Sequence, residues 1–394
     1  MTNNIKKLLS SNILSQFFSM FSIIIMTTNF NSKDISTYGY FFSLLSMLSI
    51  CLSFRLENLI FQVKAGQYSK IFANSVILIS LLLTSVVFSL SFIFDIDYVI
   101  KVSIIGGVAF AIFNILNNYL TRNGDITILA SAKILRSAFE LLLVTLCVLS
   151  HKSITFLMFS LVLSYFLSSL YIYIRAKVYV RFRKKHIKQT LLQYLKLKKY
   201  AKWDFPSSIL SAFIVYMPQV IFNNSGNYLI SSIYFMSSRY IGSPLLLIAQ
   251  AIGLALKQEY QREKDLKIKN NASVLYIRKM IYNRKFAIAI LLSFISIPII
   301  YLIHPGYSFK EFFICFIILL PLYWARFIFN CFAGLVYVKG LFKENFIYQL
   351  LSTIILIGIL YSFKLNFYTL LIYSLLSLLM YITFSFYVIR KNDD

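Results

Sequence analysis

Acidic side chains are the scarcest chemistry in this sequence. Only 14 of its 394 residues are Asp or Glu, and all charged types together reach 13%. That is about half the share usual in soluble domains. So little charge cannot cover an aqueous surface, which excludes a soluble enzyme, a secreted module and a disordered chain. Glycine (12), proline (6) and tryptophan (2) are sparse too, and there is no low-complexity tract. No GxxxxGK[ST], GxGxxG, GxSxG or HExxH pattern occurs, so nothing in the chain drives chemistry with a nucleotide or a classical nucleophile. The four cysteines, Cys51, Cys147, Cys315 and Cys331, are widely spaced, with no CxxC and no Cys/His pair. They read as buried free thiols rather than as a zinc or redox site.

What is abundant is apolar sequence. Hydrophobic types make up 59% and aromatics 17%. A helix needs about 20 mostly apolar residues to cross hydrocarbon, and twelve such runs can be placed, at about 8–29, 36–54, 72–94, 98–120, 126–149, 153–174, 205–223, 227–254, 286–303, 310–337, 346–363 and 367–389. The first run, after Lys6 and Lys7, is too long for a signal-peptide core and lacks a small-x-small cleavage site. It reads as a retained membrane helix. The expected fold class is an all-α polytopic membrane protein with about 12 transmembrane helices.

The net charge of +25 would suggest nucleic acid in a soluble protein. Here its placement gives a different answer. With the N-terminus inside, 32 of the 39 Lys and Arg fall in the inner connections or at inner span ends, and five (Lys33, Lys101, Lys152, Lys310, Lys364) fall outside. Arg239 and Arg326 lie within spans. This is the positive-inside pattern, with both termini cytoplasmic and no nucleic-acid partner expected. A cytoplasmic reporter fused at Lys185 or Asn392 is expected to be active, and a periplasmic reporter at the same sites silent. Periplasmic activity at Lys185 would overturn the orientation.

The longest basic connection, 175–204, places Ile187, Leu191 and Leu195 at i, i+4 and i+8 among lysines. It reads as an amphipathic helix lying on anionic inner-leaflet lipids. It also divides the chain into a six-span bundle at 1–174 and another at 205–394. With an even number of spans in each, the halves would be related by an axis along the membrane normal. The outer connections are short, so no catalytic platform is present, and Asp95 and Asp97 read as a turn. No catalytic residue, metal site or cofactor is expected.

Charges inside hydrocarbon are costly and therefore informative. Arg239 stands near mid-depth of the eighth span, before Gly242 and Pro244, which weaken that helix. It could contact an anion in a cavity, pair with Glu140, or snorkel. Arg326 follows Pro321 and Trp324 and shares a face with Asn330; it could line a cavity or sit at the inner interface. Lys133, Arg136 and Glu140 form one stripe along the fifth span. Glu140 is either Arg136's ion-pair partner or a protonatable carboxylate for ion coupling. Neutral polar residues gather on faces as well: Asn12 with Gln16, Asn114 with Asn117 and Asn118, and Tyr216 with Gln219 and Asn223. They read as helix–helix hydrogen bonds or as a polar lumen for sugar hydroxyls. Asp204, before Phe205-Pro206, reads as the N-cap of the seventh span.

Two stretches carry a family resemblance. SFRLENLIFQ, after the second span, resembles the Arg-x-Glu segment of Wzx-type bacterial oligosaccharide flippases. KKYAKWDFP, followed by MPQVIFNNSGNYLISSIYFMSSRYIGSPLLLIAQAIGLALKQEY, is similar to their seventh and eighth spans. The resemblance implies membership of the multidrug/oligosaccharidyl-lipid/polysaccharide exporter superfamily, with two six-helix bundles around a central cavity working by alternating access. The implied substrate is an undecaprenyl-diphosphate-linked oligosaccharide, moved from the inner to the outer leaflet of the bacterial cytoplasmic membrane for O-antigen, capsule or similar polysaccharides. On this reading Arg239, Arg326 and Arg136 would meet the anion, and Gln16, Asn114, Asn118 and Gln219 the sugars. The protein would be monomeric, with the polymerase and other polysaccharide-assembly membrane proteins as partners. The alternatives are a cation-coupled multidrug exporter of the same superfamily and, further off, a membrane glycan polymerase.

Overall fold

The computed structural model describes residues 2–63, 66–150, 152–178, 188, 192, 198–246, 249, 253, 309–362 and 365–390. These residues form helices and turns with no strand among them. The first helices are α1 (Thr2–Asn29), α2 (Ser32–Ser53), α3 (Gln67–Ile93), α4 (Tyr98–Asn123), α5 (Ile126–Ser150) and α6 (Ile154–Arg175). They are followed by α7 (Lys198–Asn224), α8 (Tyr228–Ser237), α9 (Phe309–Val338), α10 (Phe342–Ser362) and α11 (Phe367–Arg390). A three-ten turn, Leu56–Gln62, follows α2, and a π turn, Ser238–Gly242, continues α8.

Among the described residues, nine helices are long and apolar enough to cross a membrane. The helix α5 has 25 residues but carries Lys133, Arg136 and Glu140. The expected ninth span at 286–303 and the basic loop 257–285 lie outside the described residues, as does most of 179–197. The helix α3 exposes Leu81, Leu82, Val86, Leu90 and Ile93. Such a surface is stable against lipid and unstable against water.

The helices group into two compact units, Met1–Val220 and Ile221–Asp394. In the first, α4 runs against α2, α3 and α6, and α5 packs on α1 and α6. Gly107 permits the α2–α4 approach: a Cβ there would sit 3.1 Å from Leu48 Cβ. Small residues serve this purpose in membranes because close backbone packing is what holds the helices together. The start of α2 is capped by Asn31, whose Oδ1 accepts from the Asp34 N–H at 2.8 Å. In the second unit α11 lies along α9 and α10, while α8 meets α9.

Two expectations are corrected. Asp204 does not cap a helix: α7 already begins at Lys198, and Pro206 and Pro218 both lie inside it. Cys51 is exposed, although the other three cysteines are buried as expected. Asp95 does form a turn, at φ 46°, with its carboxylate 4.0 Å from Lys101 Nζ.

Candidate functional site

Among the described residues, each unit holds an arginine-centred polar cluster within its apolar helices. In the first unit the stripe on α5 faces α1 and α6. Residues 12, 15 and 19 of α1 recur at i, i+3 and i+7 and so present one face. Lys133 Nζ donates to Asn12 Oδ1 at 3.0 Å, and Ser15 Oγ donates to the Lys133 carbonyl at 3.1 Å. Arg136 donates to Ser19 Oγ at 3.0 Å and to the Tyr165 hydroxyl at 3.1 Å. Its guanidinium also lies 5.2 Å from the Tyr165 ring centre. That ring is held by Phe110 and Phe113, at 4.7 and 5.5 Å. Arg136 Nη1 and Glu140 Oε2 are 3.5 Å apart, and Glu140 is only 6% exposed. The unit thus holds an arginine together with its own counter-charge. Lys133 adds a second cation one turn away.

The other residues singled out in this unit are spread along it. Gln16 is half-buried on α1, and Asn114 is half-buried on α4. Asn118 donates to the Glu57 carbonyl at 3.3 Å. Gln219, 2% exposed, donates to the Ser36 carbonyl at 3.3 Å.

The centre of the second unit is Arg326 on α9. Its guanidinium hydrogen-bonds the phenols of Tyr373 and Tyr381 on α11. The phenols of Tyr234 on α8 and Tyr323 on α9 also face it. All four tyrosines are buried, whereas Arg326 keeps part of its surface accessible. The Tyr323 hydroxyl pairs with Ser237 Oγ at 2.9 Å, and its ring lies on the π turn. A Cβ at Gly242 would fall 2.9 Å from Tyr323 Cε1, so only glycine leaves the ring room. Arg239 sits on this π turn, half-buried, with its guanidinium 5.3 Å from the Phe235 ring centre.

Among the described residues of this unit the only carboxylates are Glu311 and Glu344, each in the first turn of its helix. Glu311 precedes Arg326 on α9 by a distance of about 22 Å at 1.5 Å per residue. A guanidinium among phenols gathers N–H and O–H groups, both of them hydrogen-bond donors, in one place. The arrangement suits an oxyanion. Further out along α10 and α11, Gln349 Oε1 and Ser377 Oγ are buried without a hydrogen-bond partner among the described residues.

The spacing of residues pointed to Arg136, Glu140 and Arg326. It did not point to Ser19, Tyr165, Tyr373 or Tyr381. Ser15 and Ser19 share the face of Asn12, a readable signal. The tyrosines are 3 of 28, and no local pattern sets them apart.

No family model and no curated protein matches the sequence. Solved structures do match the fold. An outward-facing multidrug resistance MATE family transporter of the MOP superfamily aligns with TM-score 0.62 at 14% identity, over 98% of this chain and 95% of that one. The eukaryotic MATE transporter AtDTX14 aligns with TM-score 0.58 at 13% identity, over 99% and 96%. A MOP superfamily transporter from Pyrococcus furiosus with a binding pocket of reverse polarity aligns with TM-score 0.54 at 14% identity, over 98% and 96%. The chain is an all-helical, multi-pass membrane protein with the fold of these transporters.

Proposed function

We propose that this protein is a flippase that moves undecaprenyl-diphosphate-linked oligosaccharides from the inner to the outer leaflet of a bacterial cytoplasmic membrane by alternating access. The observation that carries the reading is Arg326, an intramembrane cation set among the phenols of Tyr234, Tyr323, Tyr373 and Tyr381. A site for cationic drugs needs the opposite sign. A diphosphate carries the complementary charge, and Arg and Tyr are the residue types that donate to it. Arg136 and Arg239 offer secondary contacts to the anion. Gln16, Asn114, Asn118 and Gln219 serve the sugars, as do Gln349 on α10 and Ser377 on α11. Glu140 is the coupling candidate. The basic segment 175–204 would rest on anionic lipid, and the partners would be the polymerase and other assembly proteins.

Deletion of the gene tests the reading. Lipid-linked repeat units are expected to accumulate facing the cytoplasm, with surface glycan left unpolymerised. Units that still reach the outer leaflet while polymerisation alone fails would favour a polymerase. The second reading, a cation-coupled multidrug exporter, draws on the multidrug function of the first structural neighbour. Raised drug sensitivity of the deletion strain with normal surface glycan would favour it.

A further inference from the structure

The two stretches that carry the sequence resemblance, SFRLENLIFQ and KKYAKWDFP, lie 146 to 153 residues apart and yet meet in the first unit. Phe54 and Arg55, which follow α2, both take left-handed backbone conformations, at φ 48° and 58°. Non-glycine residues adopt this region only where the surroundings hold them there. What the strain achieves is visible in the contacts. The Phe54 ring packs on Phe205 of α7, with centroids 5.1 Å apart. Arg55 Nε donates to Ser208 Oγ at 3.1 Å. One turn on, Asn58 Nδ2 donates to Asp204 Oδ2 at 3.3 Å. The inner side of the turn is tied to α4: Asn118 donates to the Glu57 carbonyl, and Arg122 Nε donates to the Val63 carbonyl at 2.9 Å.

The turn is therefore fixed to α4 on one side and hooked to α7 on the other. The hook is polar, and a buried carboxylate stands beside it. Glu57, 4% exposed, meets Arg55 through Oε1 at 3.4 Å, while its buried Oε2 has no hydrogen-bond partner among the described residues. Interhelical hydrogen bonds in membranes are individually weak beside close packing. At a membrane surface water replaces them once the contact opens, so such a contact is released at little cost. Asp204 and Ser208 recur at i and i+4 on one face of α7, so a small rotation of that helix breaks both hydrogen bonds together.

We propose that the Phe54–Asn58 turn and the Asp204–Ser208 turn of α7 form a releasable latch, which must open and close during the working cycle. It closes the end at which α2 and α4 finish and α7 begins, the end that the charge count assigns to the cytoplasm. Only one of the two readouts below rests on the transport reading.

The test uses full-length protein carrying Cys51→Ser, because Cys51 is the exposed cysteine. Asn58→Cys and Asp204→Cys are combined, and a short bis-methanethiosulfonate is added, whose span tolerates geometry too wide for a direct disulfide. The pair is expected to cross-link in membranes. Surface-glycan output should then fall at least tenfold and recover on reduction, with neither single cysteine responding. Failure to cross-link, or full output from cross-linked protein, overturns the latch. The second readout needs no substrate: the rate at which a membrane-permeant maleimide labels Ser208→Cys. Replacing Arg55 with Ala should raise that rate at least tenfold at unchanged protein level, and an unchanged rate counts against the latch. If glycan output proves independent of the protein altogether, the flippase reading fails. The cross-link and the labelling rates still decide whether the latch opens.

Discussion

Replacing Arg326 with alanine is expected to leave insertion and protein level close to normal and to reduce transport about a hundredfold. Two opposing terms keep the protein level steady. Removing a mid-membrane arginine relieves a burial cost of about 2.5–3.5 kcal/mol. It also removes the hydrogen bonds to Tyr373 and Tyr381, which leaves two buried phenols short of a donor. That loss is about 1–3 kcal/mol for each buried group, of the same order as the relief. Transport has no such offset. A charge-assisted hydrogen bond is worth about 1.5–3 kcal/mol, and two to one oxyanion give about 3 kcal/mol, or two powers of ten. Arg326→Lys keeps the charge and loses the planar fork, so it should retain part of the activity. Tyr381→Phe removes one of the phenol contacts to the arginine and should fall between wild type and Arg326→Lys. The measurement is surface-glycan output normalised to protein in the membrane. Near-normal output from Arg326→Ala would remove Arg326 from the substrate path.

The sequence made Arg326 visible without showing what surrounds it. A charge in an apolar run stands out, whichever helix contains it. Tyr323 stands one turn before it on α9, but the rest of the cage comes from α8 and α11, and phenols are too common in this chain for any spacing to mark those three. The helices themselves were legible because hydrocarbon thickness sets their length, so nearly every expected span in the described residues coincides with a helix. Cys51 shows the limit of that signal: a run that is apolar all round does not say which face meets lipid. Asp204 failed for a different reason. Asp-Phe-Pro has the chemistry of a helix start, and capping would have satisfied it locally. The carboxylate instead accepts from Asn58, and α7 extends past its prolines. The partner lies 146 residues away, beyond any local rule. Arg239 was legible as a charge beside a weakened helix, and a π turn does occur there. What the sequence could not supply is that Gly242 makes room for Tyr323.

Arg136→Ala should behave in the opposite way to Arg326→Ala, losing folded protein before any change in transport can be read. Its partner explains the difference. Glu140 is buried, and its Oε2 lies 3.5 Å from Arg136 Nη1. Removing one member of a buried pair strands the other charge, at a cost of about 3–5 kcal/mol, a large part of a typical domain's stability. Lys133 cannot take over unaided, because its ammonium is committed to Asn12 on α1. Replacing Glu140 with alanine as well should restore most of the protein, since the double variant buries no unpaired charge. Glu140→Gln alone should be milder than Arg136→Ala, because Arg136 keeps Ser19 and Tyr165. The check is a double-mutant cycle on thermal stability in detergent, with membrane protein level as a second measure. Additive losses would show that the two residues act separately, leaving Arg136 available to substrate throughout. A strong coupling, with transport recovering in the double variant, would make the pair a structural pin between α5, α1 and α6. Recovery of protein without recovery of transport would assign the pair a part in the working cycle.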